Sequence, residues 1–350
     1  MGAARALVSV TTVALAFAVL LAVSSPGRVG APRVAERHPP PVRSTDMLRR
    51  AGGVLWWVTG DCRLYRLRMA AQAVDRAAGR FCRAWPAPDG GSVMAAPGEG
   101  PTMPPPGKLE VVDGHTLRAT AVTGLPADLV IGPVGWSPDS LLAAVCVVHT
   151  PRTPETAVLT APWTRATPVS DRCSPAFTES STLLTSDGTS VFENGIALHL
   201  AGALARSVGS PARGYRITAL TAIPGGLIAG VHIGHTTVAA GAGRSAVLIV
   251  DRVRGQREII RLQRGVSELG AAPDGSSFWY RDAVRGGVVL MPLHRPPAPG
   301  LPRVARAFAW SPDGRYAAAA LGRHVVVVDT RTGARGLVAA AGVRELDWTR

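Results

Sequence analysis

His232-Ile233-Gly234-His235 is the one close histidine pair in the chain. Two imidazoles three residues apart on a strand and its turn can reach a common metal ion. No Cys, Asp or Glu stands near them in sequence, so His232 and His235 are weak metal candidates and solvated strand-end histidines are the simpler expectation. Asp89, Asp139, Asp187, Asp274 and Asp313 offer carboxylates for acid/base work, yet they recur inside one repeated phrase. A residue needed once per repeat is a turn residue, because aspartate accepts hydrogen bonds from the amides that follow it. Ser137 and Ser311 lie in the same phrases with aspartate but no histidine nearby, which argues against a nucleophile. Trp56-Trp57 and Phe278-Trp279-Tyr280 could stack on a sugar. Strand alternation instead sends neighbouring rings to opposite faces, where core packing claims them.

Local catalytic motifs are missing: there is no G-x-S-x-G, H-E-x-x-H, G-x-G-x-x-G, C-x-x-C or EF-hand loop. Lys108 is the only lysine, which excludes a P-loop and leaves one residue for Schiff-base chemistry. No cofactor is expected. The four cysteines suit an oxidising compartment, and the pairing expected from proximity and repeat register is Cys62 with Cys82 and Cys146 with Cys173.

Residues 6–23 carry no charge over 18 positions, about 27 Å as a helix, and read as an export signal. Small residues at Ala22 and Ser24 suit cleavage, while the length and short basic flank suit an uncleaved anchor; both remain open. Residues 24–46, rich in proline and arginine, read as a disordered spacer, and residues 47–350 as the folded domain. The net charge of +14 is almost wholly arginine. The first 46 residues hold five arginines against Glu36 and Asp46, which leaves the folded part basic. Outside the membrane its anionic neighbours are headgroups, wall polymers or acidic proteins, rather than nucleic acid. Membrane contact through residues 6–23 follows if the signal is kept, and a monomer is the default.

These side chains must be positioned by a repeat. Trp310-Ser311-Pro312-Asp313-Gly314 and Trp136-Ser137-Pro138-Asp139-Ser140 are its clearest copies, followed by Ala272-Pro273-Asp274-Gly275 and Ala87-Pro88-Asp89-Gly90. Weaker copies begin at Phe177 and Ile223, and a last one opens at Trp348, where the chain stops. The proline positions 88, 138, 179, 224, 273, 312 and 350 give a period of about 44, the length of a four-stranded propeller blade. Proline presets φ, aspartate caps the turn and glycine supplies positive φ, so the chain reverses tightly between strands. Apolar runs of strand length follow at 141–148, 227–233, 277–280 and 316–321, then at 246–250, 287–293 and 324–329, with 257–262 and 336–340 as outer strands. Residues 67–78 are faintly helical.

Residues 54–58 and 64–69 look like the second and third strands of a blade that lacks its first, and 343–348 look like a first strand without a blade. Pairing them closes a ring, with Val343, Leu346 and Trp348 on the apolar side. The expectation is an all-β propeller of seven four-stranded blades, six being the alternative. On the Trp-Ser-Pro-Asp-Gly phrase the chain, over residues 50–350, resembles TolB-like and WD-type β-propellers. The resemblance implies an extracytoplasmic or scaffold protein that binds partners on one face or in the central funnel, and implies no activity. Innermost runs such as 130–134 and 305–309 are small and apolar, so a funnel without gathered charge is expected. The reading that follows is a non-enzymatic extracytoplasmic propeller, membrane-anchored or secreted, that binds a protein or envelope component. The alternative is a propeller enzyme of lyase, hydrolase or quinone-dehydrogenase type.

Overall fold

The computed structural model describes residues 42–43, 46–98, 108–125, 129–149, 154–163, 165–187, 190–198, 215–233, 244–253, 256–262, 265–293 and 300–350. The export segment 6–23, the spacer up to residue 41 and His235 lie outside them. Seven antiparallel sheets make up the described residues, five with their strands hydrogen-bonded in sequence order from the axis outward and two that combine strands from both ends of the chain. Six alternating blades would leave a repeat over; seven account for every copy of the phrase.

Blade 1 is stitched from both ends of the chain: Val343–Thr349 is its first strand, followed by Val54–Thr59, Leu64–Arg68 and Ala73–Arg76. Blades 2 to 7 begin with the first strands Phe81–Pro86, Leu129–Trp136, Cys173–Phe177, Tyr215–Ile223, Val266–Ala271 and Phe308–Trp310. First strands of neighbouring blades lie against one another and form the ring's inner wall. The stretch 67–78 is therefore a hairpin and not a helix. Its local pattern was compatible with both, and pairing of Leu67 with Val74 inside a blade decides for strand.

The repeated phrase holds its turn by a fixed set of bonds. Ser311 Oγ donates to Asp313 Oδ1 at 2.6 Å and accepts the amide of Tyr316, while Asp313 accepts the amide of Arg315. Ser137, Asp139 and Leu142 repeat the arrangement. Asp89 and Asp274 likewise accept the amides of Gly91 and Ser276. Gly314 takes φ +67°, a backbone that glycine adopts without steric cost. Even the degenerate copy at Thr178 closes the same turn, with the Ser181 amide on Thr178 O.

Blades pack face to face through apolar side chains. Trp56 and Trp57, neighbours on one strand, are both buried and serve different joins: Trp57 packs with Tyr65, Leu346 and Trp348 between blades 7 and 1, Trp56 with Phe81 and Val93 between blades 1 and 2. Ring closure pairs Leu55 with Trp348 and Trp57 with Leu346. Trp348 stacks on Tyr316 of blade 7 at 6.2 Å between centroids, and its indole donates to Gly52 O at 3.2 Å.

A second closure was not legible in the sequence. Val42–Arg43, inside the stretch read as spacer, adds a fifth strand to the outer edge of blade 7, and the short helix Asp46–Ala51 follows it. Met47 and Leu48 of that helix are buried in the join between blades 7 and 1. Gly336 makes room for them, since a Cβ there would stand 2.8 Å from Leu48 and 2.9 Å from Met47. The ordered domain therefore reaches back at least to Val42.

The central channel as candidate functional site

First strands from all seven blades line a cavity of about 250 Å³ on the ring's axis. That is close to the lower end of ordinary small-molecule sites. Contrary to the apolar funnel expected from 130–134 and 305–309, charged side chains converge there. Arg83 spans the axis from blade 2: its Nη2 lies 3.0 Å from Glu268 Oε1 of blade 6, and its Nε 2.5 Å from Glu345 Oε1 of blade 1. Glu345 Oε2 accepts the Ala84 amide at 3.0 Å. Arg281, on the second strand of blade 6, donates from Nε to Glu268 Oε2 at 2.7 Å. Its remaining nitrogens bond the carbonyls of Gly286, Arg306 and Arg344, which ties blades 6, 7 and 1 together at the axis.

The ring's enclosure sets the electrostatics. Burial opposes ionisation of Glu268, but Arg83 and Arg281 outweigh it and hold the carboxyl below its ordinary value. Burial also opposes the charge on Arg83, and Glu345 with Glu268 reverse the effect and raise it. Glu345, where burial dominates over Arg83, is pushed up. Asp347 exposes surface, and that surface borders the channel. Protein surrounds it on the ring's inner side, and this loss of bulk water, only partly offset by the Trp348 amide at 2.8 Å, lifts it to about 7 with help from the Glu345 charge. No cation contacts Asp347 among the described residues. The channel thus pairs two arginines with two glutamates and leaves one carboxylate that exchanges its proton near neutrality.

Repeat alignment carried a signal for these residues. Arg83, Glu268 and Glu345 each stand five positions before the repeat's proline position, at 88, 273 and 350, where other copies have Pro133, Ser174, Ala219 and Ala307. That register position lines the channel in six of the seven blades, at Arg83, Ser174, Ala219, Glu268, Ala307 and Glu345, and three of them put charge there. Arg281 and Asp347 had no such signal.

The other candidates are placed away from the axis. His232 is buried within the second strand of blade 5, opposite Arg216 and Ser245, and the described residues contain no group of three or more His, Cys, Asp or Glu that could hold a metal ion. Asp89, Asp139, Asp274 and Asp313 stay in their turns. Asp187 caps its own turn through the Ser190 amide. Trp136 donates from its indole to Trp85 O at 2.8 Å across two blades, and Trp310 is half-buried between blades 6 and 7. Of the aromatic run, Phe278 is core and Trp279 borders the channel. Both expected disulfides are present: Cys62–Cys82 fastens blade 1 to the first strand of blade 2, and Cys146–Cys173 fastens blade 3 to that of blade 4.

No protein-family model matches the chain, and no curated protein matches it. Among solved structures, it is similar to an oligogalacturonate lyase in complex with manganese, at 12% identity over 80% of this chain and 82% of that one, with a TM-score of 0.47. It is similar to the β-propeller domain of Swd1 from Myceliophteria thermophila, at 12% identity over 74% and 85%, TM-score 0.47. TolB from Acinetobacter baumannii gives 12% identity over 85% and 66%, TM-score 0.44. One is an enzyme, and the likeness concerns the fold alone.

Proposed function

We propose that this chain is a non-enzymatic, extracytoplasmic propeller, anchored or released through residues 6–23, that binds a protein or cell-envelope component through one face. The observation that carries the binding reading is the Arg83 guanidinium across the axis. It joins Glu268 and Glu345 from two other blades, so these charges are committed to one another across the axis instead of standing free for chemistry. Two disulfides and no free cysteine support a compartment that is oxidising. Among the described residues no helix is long and apolar enough to cross a membrane, and 6–23 stand outside them.

One observation favours the second reading, a propeller enzyme. Asp347, held at about 7 on the channel wall, has the proton affinity of a general acid or base at physiological pH. Site-specific photo-crosslinking in cells from positions on each face, followed by binding of the captured component to the purified full chain, separates the two. The binding reading expects capture from one face, with affinity that falls at least tenfold on charge reversal there and is unmoved by Asp347→Asn. A captured component that the wild-type chain alters chemically and the Asp347→Asn chain does not would reject it.

A further inference from the structure

Strand direction sorts the exposed loops onto two faces. The Trp-Ser-Pro-Asp-Gly turns, between first and second strands, mark one face; the turns between second and third strands, and the links from blade to blade, mark the opposite one. On that second face, blades 6, 7 and 1 carry Arg285 in the turn of blade 6, Arg306 in the link to blade 7, Arg323 in the turn of blade 7 and Arg344 at the start of the closing strand, all exposed. Arg285, Arg306 and Arg323 have no acidic partner among the described residues. Acids there are sparse. Asp61 is exposed, and Asp282 is buried with its Oδ1 accepting the amides of Val284 and Arg285. On the turn face of blades 6 and 7, by contrast, Asp274, Asp313 and Asp329 stand among Arg315 and Arg331, and Arg315 lies 3.3 Å from Asp329.

Two further observations fall on the arginine face. Val284 and Leu321, next to Arg285 and Arg323, expose 54% and 38% of their surface. Apolar tips flanked by arginines suit a headgroup boundary, where the long side chains reach phosphates while the aliphatic groups sit deeper. The chain also enters the propeller from this side: Val42 pairs with Val338 and Arg43 with Leu337, so the added strand runs from the arginine face toward the turn face. Between Val23 and Val42 stand 18 residues, which reach at most about 60 Å when extended. With residues 6–23 kept in a bilayer, as the anchored reading has it, a span of that length would hold the domain near the surface without fixing its orientation.

We propose that the face bearing Arg285, Arg306, Arg323, Val284 and Leu321 docks on an anionic phospholipid surface, leaving the turn face for the protein or envelope partner. The proposal rests on the extracytoplasmic reading above. It favours lipid over an acidic protein because the apolar tips and the entry point of the chain coincide with the charge.

The test uses the full chain with an environment-sensitive fluorophore on Leu321→Cys or, on the turn face, Leu141→Cys, added to vesicles of phosphatidylcholine alone or with phosphatidylglycerol. The 321 label is expected to shift to the blue only with phosphatidylglycerol, the 141 label to stay solvent-like, and high salt to reverse the shift. Combined Arg285→Gln, Arg306→Gln and Arg323→Gln should weaken the contact by about 100-fold, from about fivefold per arginine near a charged surface. The same change at Arg118, Arg331 and Arg335 should leave it. Flotation with neutral vesicles reports the anchor separately. A chain that floats there while its 321 label stays solvent-like on phosphatidylglycerol overturns docking and keeps the anchor; one that binds only phosphatidylglycerol keeps docking and loses the anchor. Undiminished lipid contact in the triple variant also overturns the proposal and leaves the arginines to an acidic protein.

Discussion

The closing strand Val343–Thr349 shows two chemistries on its two faces. Leu346 and Trp348 point into the join with blade 7, where they pack with Trp57 and Tyr316 and exclude water. Glu345 and Asp347, on the alternate face, line the channel, where Glu345 meets Arg83 and Asp347 meets no cation among the described residues. The join lowers the free energy of the ring through buried apolar area. The axis pays desolvation for every charge it holds, and ion pairs return little beyond that cost. Side chains that hold the ring and side chains that are open to a ligand are thus neighbours in sequence and separable by mutation.

The largest effect tests the join. Deleting residues 343–350 removes Val343, Leu346 and Trp348 and leaves blade 1 with an open edge, a loss of several kcal/mol against a typical total of about 5–15 kcal/mol. Unfolding or aggregation is expected in thermal melts with light scattering. A truncated chain that melts like the full one and stays monomeric would remove the closing strand from the account. Trp348→Ala alone should cost about 3–5 kcal/mol in denaturant titrations, by emptying a cavity beside Tyr316.

Next come the staples on the other joins. Replacing Cys62 and Cys82 together by Ser should cost about 3 kcal/mol, and Cys146 with Cys173 about the same, because their loops of 20 and 27 residues constrain the unfolded chain to similar degrees. Urea unfolding of each pair measures this. A loss under 1 kcal/mol in both would place the blade joins' strength in packing alone.

At the axis, Arg83→Gln leaves Glu268 and Glu345 without their shared cation. Water in the channel screens part of the loss, so about 1–2 kcal/mol is expected. The sharper readout is the Glu268 carboxyl, whose titration by NMR should move up.

The last effect is read as a pH dependence and concerns Asp347. Its native value of about 7 lies above the unfolded value of about 3.9. Between those values the native chain keeps a proton that the unfolded chain has released, so stability falls as pH rises from about 4 to about 7 and is level above. Asp347→Asn should remove that contribution and gain relative to wild type as pH rises, as melting temperatures across that range would reveal. An unchanged pH profile would return Asp347 to ordinary solvent.

What the sequence by itself determined is what repeats or lies close along the chain. The turn phrase is local chemistry, so Ser311, Asp313 and Gly314 announce the same reversal wherever they occur, and counting reversals gives seven blades. The two disulfides join cysteines 20 and 27 residues apart, and the closing strand was visible as the half of a blade missing at the other end. The helix Asp46–Ala51 was hidden because its six residues are too few to show a period, and what stabilises it is the pocket over Gly336. Tertiary structure alone decided the chemistry of the axis. Arg83 and Glu268 lie 185 residues apart, and each looks like a solvated charge in an apolar strand. Only closure of the ring brings their register positions face to face, strips bulk water from Asp347, and turns scattered charges into a site.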